Sequence, residues 1–82
     1  MTIKAEMKRR LYESGLFEKD CNAIIEEAKK VEILDSMKDR WDDEKGGYIP
    51  LVIDTIWISV KRVALEYINK NMPDAWFKSV FE

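Results

Sequence analysis

The sequence predicts an all-α fold, a small orthogonal bundle of four or five helices around a long central helix. Three observations favour this class. No segment alternates apolar and polar residues with the period of two that is typical of a strand. The segment from about 50 to 70 carries apolar residues at helical spacing along its whole length. The other helical segments are too short for an up-and-down four-helix bundle, and 82 residues predict a single domain, 1–82.

The central helix has a clear start and one broad apolar face. Gly46 and Gly47 end whatever precedes it, and Pro50 suits a first helical position because it has no N–H to leave unpaired. A face wider than a coiled-coil seam should pack against several other helices. The residues on this face are Ile53, Ile56, Trp57, Val60, Val63, Ala64, Tyr67 and Ile68.

A second apolar stripe runs along the same helix. Leu51, Ile58 and Leu65 are seven residues apart, and Arg62 lies beside them. Polar residues separate this stripe from the broad face. Two interpretations stay open: another helix of the chain covers the stripe, or the stripe binds a partner protein or a second copy, as exposed apolar strips on small proteins often do.

The first half of the chain predicts two or three helices. Thr2 suits the N-cap of a helix over 3–14, with an apolar stripe of Ile3, Met7, Leu11 and Tyr12. Gly15 suits the left-handed position after a helix end, and Leu16-Phe17 should form an apolar plug. A second helix should begin near Lys19 or Asp20, with Cys21, Ile24, Ile25, Ala28 and Val31 on one face.

The pattern slips after residue 31, so we expect a break near 32–35 and a third helix over 36–44. One curved helix over 19–44 is the alternative. After the central helix, Pro73 breaks the pattern and can open a last short helix over 74–80.

Composition argues against catalysis. The chain has no histidine and one cysteine, Cys21, on an apolar helix face. Histidine, the commonest general base and metal ligand, is therefore missing, and no imidazole can activate the Cys21 thiol. The acidic residues of 35–44 lack the ligand spacing of a calcium loop and favour a solvated helix face. We expect no enzyme activity, no cofactor and no metal site. We also expect no signal peptide or membrane span, and a reducing cytoplasm.

Two further clusters are candidates for binding. Trp76, Phe77 and Phe81 either close the core or anchor a partner. The basic residues that could contact nucleic acid are Lys4, Lys8, Arg9 and Arg10. Leu11, Gly15 and Ile24 loosely match a helix-turn-helix with glycine at its turn. However, residues 16–47 carry a net charge of −4, from six basic and ten acidic residues, and phosphate repulsion argues against docking on DNA.

Several short motifs spread along most of the chain carry a family resemblance. They are Gly15-Leu16-Phe17, Ala23-Ile24-Ile25, Met37-Lys38-Asp39-Arg40-Trp41, Gly47-Tyr48-Ile49-Pro50, Trp57-Ile58-Ser59-Val60-Lys61 and Asp74-Ala75-Trp76-Phe77. Together they resemble small all-helical proteins encoded by bacteriophages and prophages. The resemblance implies a bacterial host cytoplasm and an accessory factor that binds a host or phage protein. It assigns no functional residue.

The expected function is a non-catalytic, protein-binding accessory or inhibitor protein of phage type that occupies a surface of its partner. The predicted protein-binding residues are Leu51, Ile58, Arg62, Leu65, Trp76, Phe77 and Phe81. Two alternatives come from other classes. One is a small nucleic-acid-binding regulator that uses the basic N-terminal helix, and the other is a homodimeric structural module.

Overall fold

The computed structural model describes residues 2–30 and 50–82, with side chains in the second range from residue 53 on. Every regular element in these two ranges is a helix. They are α1 (Ile3–Glu13), α2 (Glu18–Ala28), α3 (Pro50–Asn71) and α4 (Lys78–Phe81). The predicted helix over 36–44 and the position of Val31 lie outside the described residues. The curved alternative over 19–44 was wrong, because α2 ends at Ala28, and Lys29 and Lys30 form a turn.

Helix α1 forms as the sequence predicts. Thr2 is the N-cap, and its Oγ1 accepts a hydrogen bond from the Ala5 amide at 2.9 Å, which satisfies one of the unpaired amides at the helix start. Ile3, Met7 and Leu11 are fully buried along one face. The fourth predicted member of this stripe was wrong: Tyr12 is 64% exposed.

The turn between α1 and α2 depends on Gly15. Its φ is +120°, a conformation that L side chains rarely adopt. A Cβ at this position would lie 2.9 Å from Cδ1 of Phe77, so the turn also packs directly against the C-terminal segment. The predicted plug is only half correct, since Leu16 is buried and Phe17 is 77% exposed.

Helix α2 begins at Glu18, one or two residues earlier than the predicted start at Lys19 or Asp20, with Phe17 as its N-cap residue. The carboxylates of Glu18 and Asp20 lie in its first turn, where they complement the positive end of the helix dipole. Its predicted apolar face is confirmed within the described range: Cys21, Ile24, Ile25 and Ala28 are all fully buried.

Helix α3 starts at Pro50, as predicted, and runs for 22 residues. The centre of its broad face, Ile56, Val60, Ala64 and Ile68, is buried. Partly buried residues flank this centre and pack against the core: Ile53, Trp57, Val63 and Tyr67. The width of this face predicts packing against several helices, and α3 does pack against each of the other three described helices.

The C-terminal segment differs from its prediction. Helix α4 begins at Lys78 instead of 74 and is four residues long. Two tight turns replace the missing start, with the Ala75 amide bonded to the Met72 carbonyl and the Lys78 amide bonded to the Ala75 carbonyl, both at 3.1 Å. The first turn contains Pro73, and the two turns together return the chain to α3.

The described residues share one apolar core. It is formed by the inner faces of α1, α2 and α3, with Leu16, Phe77 and Phe81 added from the turn and the C-terminal segment. No polar or charged residue is buried in this part of the chain. The Cα radius of gyration is 12.2 Å, close to the value of about 12 Å for a compact domain of this length. The orthogonal arrangement and the single domain stay predictions.

Candidate protein-binding surface

The α3 outer stripe consists of Ile58, Arg62 and Leu65, and its members differ in exposure. Ile58 is 62% exposed, and Arg62 is also exposed. Leu65 is partly buried and packs against the core. Leu51 belongs to the described helix, but its side chain lies outside the described set. The stripe is therefore anchored in the core at Leu65 and reaches solvent at Ile58.

The charges around Ile58 are not equivalent. Asp54, one turn earlier, accepts a hydrogen bond from Arg10 of α1 at 3.1 Å. Arg62, one turn later, makes no ion pair with any residue of the two described ranges. An exposed apolar side chain next to a guanidinium that has no ion pair within the described ranges would suit a partner that offers an apolar contact and a carboxylate, because Arg binds carboxylates through two parallel hydrogen bonds.

A second exposed surface, the aromatic end, consists of the exposed rings of Phe17 and Trp76, with the buried ring of Phe77 beneath them. Trp76 is 79% exposed and Phe17 is 77% exposed, whereas Phe77 is only 9% exposed. The Trp76 and Phe77 rings meet edge to face, with their centroids 5.6 Å apart. Phe77 in turn lies against Gly15, two residues before Phe17.

Chain geometry limits how far apart the two exposed rings can be. A Cβ built on Gly15 would lie 3.1 Å from Cβ of Phe77. Phe17 is two residues after Gly15 in the chain, and Trp76 immediately precedes Phe77. The Cα atoms of the two exposed residues are therefore within roughly 17 Å of each other. A typical interface covers about 800 Å² per partner, so both rings can fit within one interface.

The C-terminal rings thus divide between core and surface. Phe77 and Phe81, predicted as candidate partner anchors, are buried in the chain itself. Phe77 packs against the Gly15 turn, and Phe81 packs against Trp57 at 6.4 Å between ring centroids. They close the core, which was the other interpretation of this cluster. Only Trp76 stays available to a partner.

The basic residues of α1 are paired with carboxylates of the same chain. Lys8 contacts Glu18 at 3.0 Å, and Arg9 contacts Glu6 and Glu13. Arg10 bonds Glu6 and Asp54, both at 3.1 Å. Lys4, the fourth basic residue of the group, is partly buried. Three of the four cations predicted to contact phosphate therefore already have anionic partners.

Glu6 is the centre of this ion-pair network. Its side chain is 12% exposed and lies between the two arginines. The hydrogen bond from Arg9 lowers the pKa of Glu6 from its ordinary value, and Arg10 adds to this effect against the opposing influence of burial. Arg10 also places its guanidinium 5.7 Å from the centroid of the Trp57 ring. The network thus holds α1 against the start of α3.

Cys21 is a buried structural thiol. Its Sγ donates a hydrogen bond to the Leu16 carbonyl oxygen at 3.8 Å, and burial raises the pKa of the thiol. A raised pKa keeps the group protonated at neutral pH, and the thiolate is the reactive form.

Phe17 is the surface residue that the sequence analysis missed. The sequence does hold a signal for it. In a tight turn, two adjacent apolar residues cannot both point into one small core, and Phe17 stands immediately before a helix that begins with a charged residue. Leu16 takes the inward position.

Within residues 2–30 and 50–82, no three His, Cys, Asp or Glu side chains are grouped closely enough to hold a metal ion. The acidic residues of 35–44 lie outside these ranges. Among the described helices, none is both long enough and apolar enough to span a membrane. We found no protein-family model, curated protein or solved structure that matches this chain.

Proposed function

We propose that this protein is a non-catalytic, protein-binding accessory or inhibitor protein that acts by occupying a surface of its partner. The resemblance to small phage and prophage proteins supports a bacterial cytoplasm as its place of action and a host or phage protein as its partner. The α3 outer stripe is the proposed main contact, and Trp76 at the aromatic end is the proposed second anchor.

One observation carries the proposal: large apolar side chains stay exposed although the core packs without them. Ile58, Trp76 and Phe17 are each more than 60% exposed, while the buried core contains no polar residue within the described ranges. Burying such side chains against a partner removes apolar area from water, which is favourable by roughly 25 cal/mol per Å². Tryptophan is also among the residues that contribute most to binding energy at interfaces.

The nucleic-acid alternative has less support. A protein gains DNA affinity when its cations replace the counterions of phosphates. In this chain Lys8, Arg9 and Arg10 would first have to leave their carboxylate partners. The homodimer alternative uses the same exposed side chains, with a second copy as the partner.

The proposal is tested by protein capture with matched variants. Tagged wild type, Ile58→Glu and Trp76→Ser are incubated with a bacterial lysate, and bound proteins are quantified by mass spectrometry. Light scattering on the same samples measures self-association. Asn22→Glu, at an exposed position of α2, is the control that adds a charge on another helix.

We expect the wild type and Asn22→Glu to capture the same protein, and Ile58→Glu and Trp76→Ser to lose it. Dimerisation of the wild type that Ile58→Glu abolishes would favour the homodimer. If all four proteins capture the same set in equal amounts, the exposed apolar residues are not a binding surface and the proposed function is wrong.

A further inference from the structure

A groove of about 460 Å³ runs between α2 and α3, separate from the α3 outer stripe and the aromatic end. Ala23, Glu26 and Glu27 line it from α2. Val63, Glu66, Tyr67, Lys70 and Asn71 line it from α3. Its volume falls within the range of about 300–1,000 Å³ that is typical of ligand-binding clefts.

The groove has a net negative charge, which comes from its α2 wall: Glu26 and Glu27 line that side, whereas Glu66 and Lys70 offset each other on the α3 side. Three carboxylates and one ammonium group line it, which gives a net charge of −2. Glu26 and Glu27 each pair at 3.5 Å with a lysine three residues later, just beyond the end of α2, but neither lysine lines the groove. Glu66 makes no ion pair within the described part of the chain. A cation between the walls would thus meet carboxylates from both helices.

The floor of the groove is apolar and held in place. Ala23, Val63 and Tyr67 are all partly buried there. The Tyr67 hydroxyl donates a hydrogen bond to Oδ1 of Asp20 at 2.7 Å, and this bond is the main cause of the raised pKa of Tyr67. The tyrosine ring is therefore fixed across the two helices before any ligand arrives, which lowers the entropy cost of binding.

We propose that this groove binds a lysine- or arginine-containing segment of a partner polypeptide. The aliphatic stem of a basic side chain can lie on Ala23 and Val63 while its charged head stays among the carboxylates. A cation above the Tyr67 ring gains a further cation–π attraction. Charge complementarity and an apolar floor match this class of ligand, and the net negative charge of the groove would repel an acidic or phosphorylated one.

The test uses two short fluorescein-labelled peptides, one of leucine and lysine at helical spacing and one with glutamate in place of lysine. Binding to the full chain is measured by fluorescence anisotropy in near-physiological salt. The groove variant is Glu26→Gln/Glu66→Gln. The control is Glu13→Gln/Glu82→Gln, which removes the same charge from exposed residues that, like Glu26, pair with a cation three or four residues away in the chain.

We expect the lysine peptide to bind and the glutamate peptide not to bind. The groove variant should weaken binding about fivefold and the control variant less than about twofold, because only the first removes carboxylates next to the ligand. Equal weakening by both variants would show non-specific charge attraction and overturn the proposal. No binding of the lysine peptide, or equal binding of both peptides, would also overturn it. None of these results would bear on the α3 outer stripe, since all the substitutions lie outside it.

Discussion

Replacing Gly15 with alanine should destabilise the chain through two separable effects. The first is backbone strain, because φ at this position is +120°; a non-glycine residue in such a region costs about 1–3 kcal/mol. The second is steric. The new Cβ would lie 2.9 Å from Cδ1 and 3.1 Å from Cγ of Phe77, and forced repacking of this kind costs about 1–3 kcal/mol. We therefore expect Gly15→Ala to lower the free energy of unfolding by about 2–6 kcal/mol.

A double-mutant cycle with Phe77→Ala separates the two effects. Removing the ring abolishes most of the steric clash but leaves the backbone strain. The two substitutions should therefore cost less together than the sum of their separate costs, by about 1–2 kcal/mol. Urea unfolding followed by circular dichroism gives the free energies of all four proteins by linear extrapolation. The control cycle combines Phe77→Ala with Asn22→Ala, at an exposed position of α2. The free-energy costs of these two substitutions should be additive.

Two results would refute the reasoning. If Gly15→Ala changes the free energy of unfolding by less than about 0.5 kcal/mol, the turn does not require glycine. If Gly15→Ala and Phe77→Ala are additive, the C-terminal segment does not pack on the turn, and the aromatic end is not organised as described.

Three further predictions concern the network and the core. Glu6→Gln should lower the free energy of unfolding by about 1 kcal/mol at neutral pH. The pKa of Glu6 is lowered in the folded chain. The stability difference between wild type and Glu6→Gln should therefore shrink as the pH falls below 4.5, the ordinary pKa of the group. An unchanged difference at low pH would contradict this. Tyr67→Phe should lower the free energy of unfolding by about 1 kcal/mol. Since the pKa of Tyr67 is raised above its ordinary value of 10.0, wild type should lose this extra stability as the pH rises through the raised pKa. Alkaline urea titrations in which the two proteins never converge would show that the bond to Asp20 is unimportant. Trp57→Ala should cost about 2–4 kcal/mol, because its partly buried ring contacts Phe81 and Arg10; a melting temperature within a degree of wild type would mean that these contacts contribute little.

Local signals predicted the start and inner face of the helices well. Thr2 caps α1 and Pro50 begins α3, since capping and the fixed φ of proline act within one turn of the chain. The buried residues of α1 at 3, 7 and 11 follow from helical periodicity alone. Gly15 also has the positive φ that its place after a helix favours.

The errors arise where neighbouring apolar residues compete for one core. Tyr12 follows Leu11, Phe17 follows Leu16, and Trp76 precedes Phe77; in each pair one side chain is buried and the other is exposed. Composition cannot decide which residue of each pair is buried, because burial depends on the side from which the neighbouring helices of the same chain pack. The late start of α4 is local, since the turn that contains Pro73 and the turn after it occupy the residues that were predicted to begin the helix.

For the candidate surface, the heptad spacing indicated a second stripe on α3, and the exposure of Ile58 and Arg62 agrees with it. The spacing did not predict that Leu65 would pack against the core. The groove between α2 and α3 was not predicted at all. Its residues come from two helices that are distant in sequence, and only their packing brings the carboxylates together.

The substitution Ile58→Glu tests the central claim, that the α3 outer stripe binds a partner, most directly. Melting temperature and affinity for the captured partner, or for a second copy, are measured on the same preparation. Because Ile58 is 62% exposed, the variant should melt within about 2 °C of wild type, as surface substitutions usually do. Affinity should fall by about 100-fold or more, because the interface would then bury an unpaired charge. A variant that unfolds would show that the stripe is interior packing, and a folded variant that binds as tightly as wild type would place the interaction surface elsewhere.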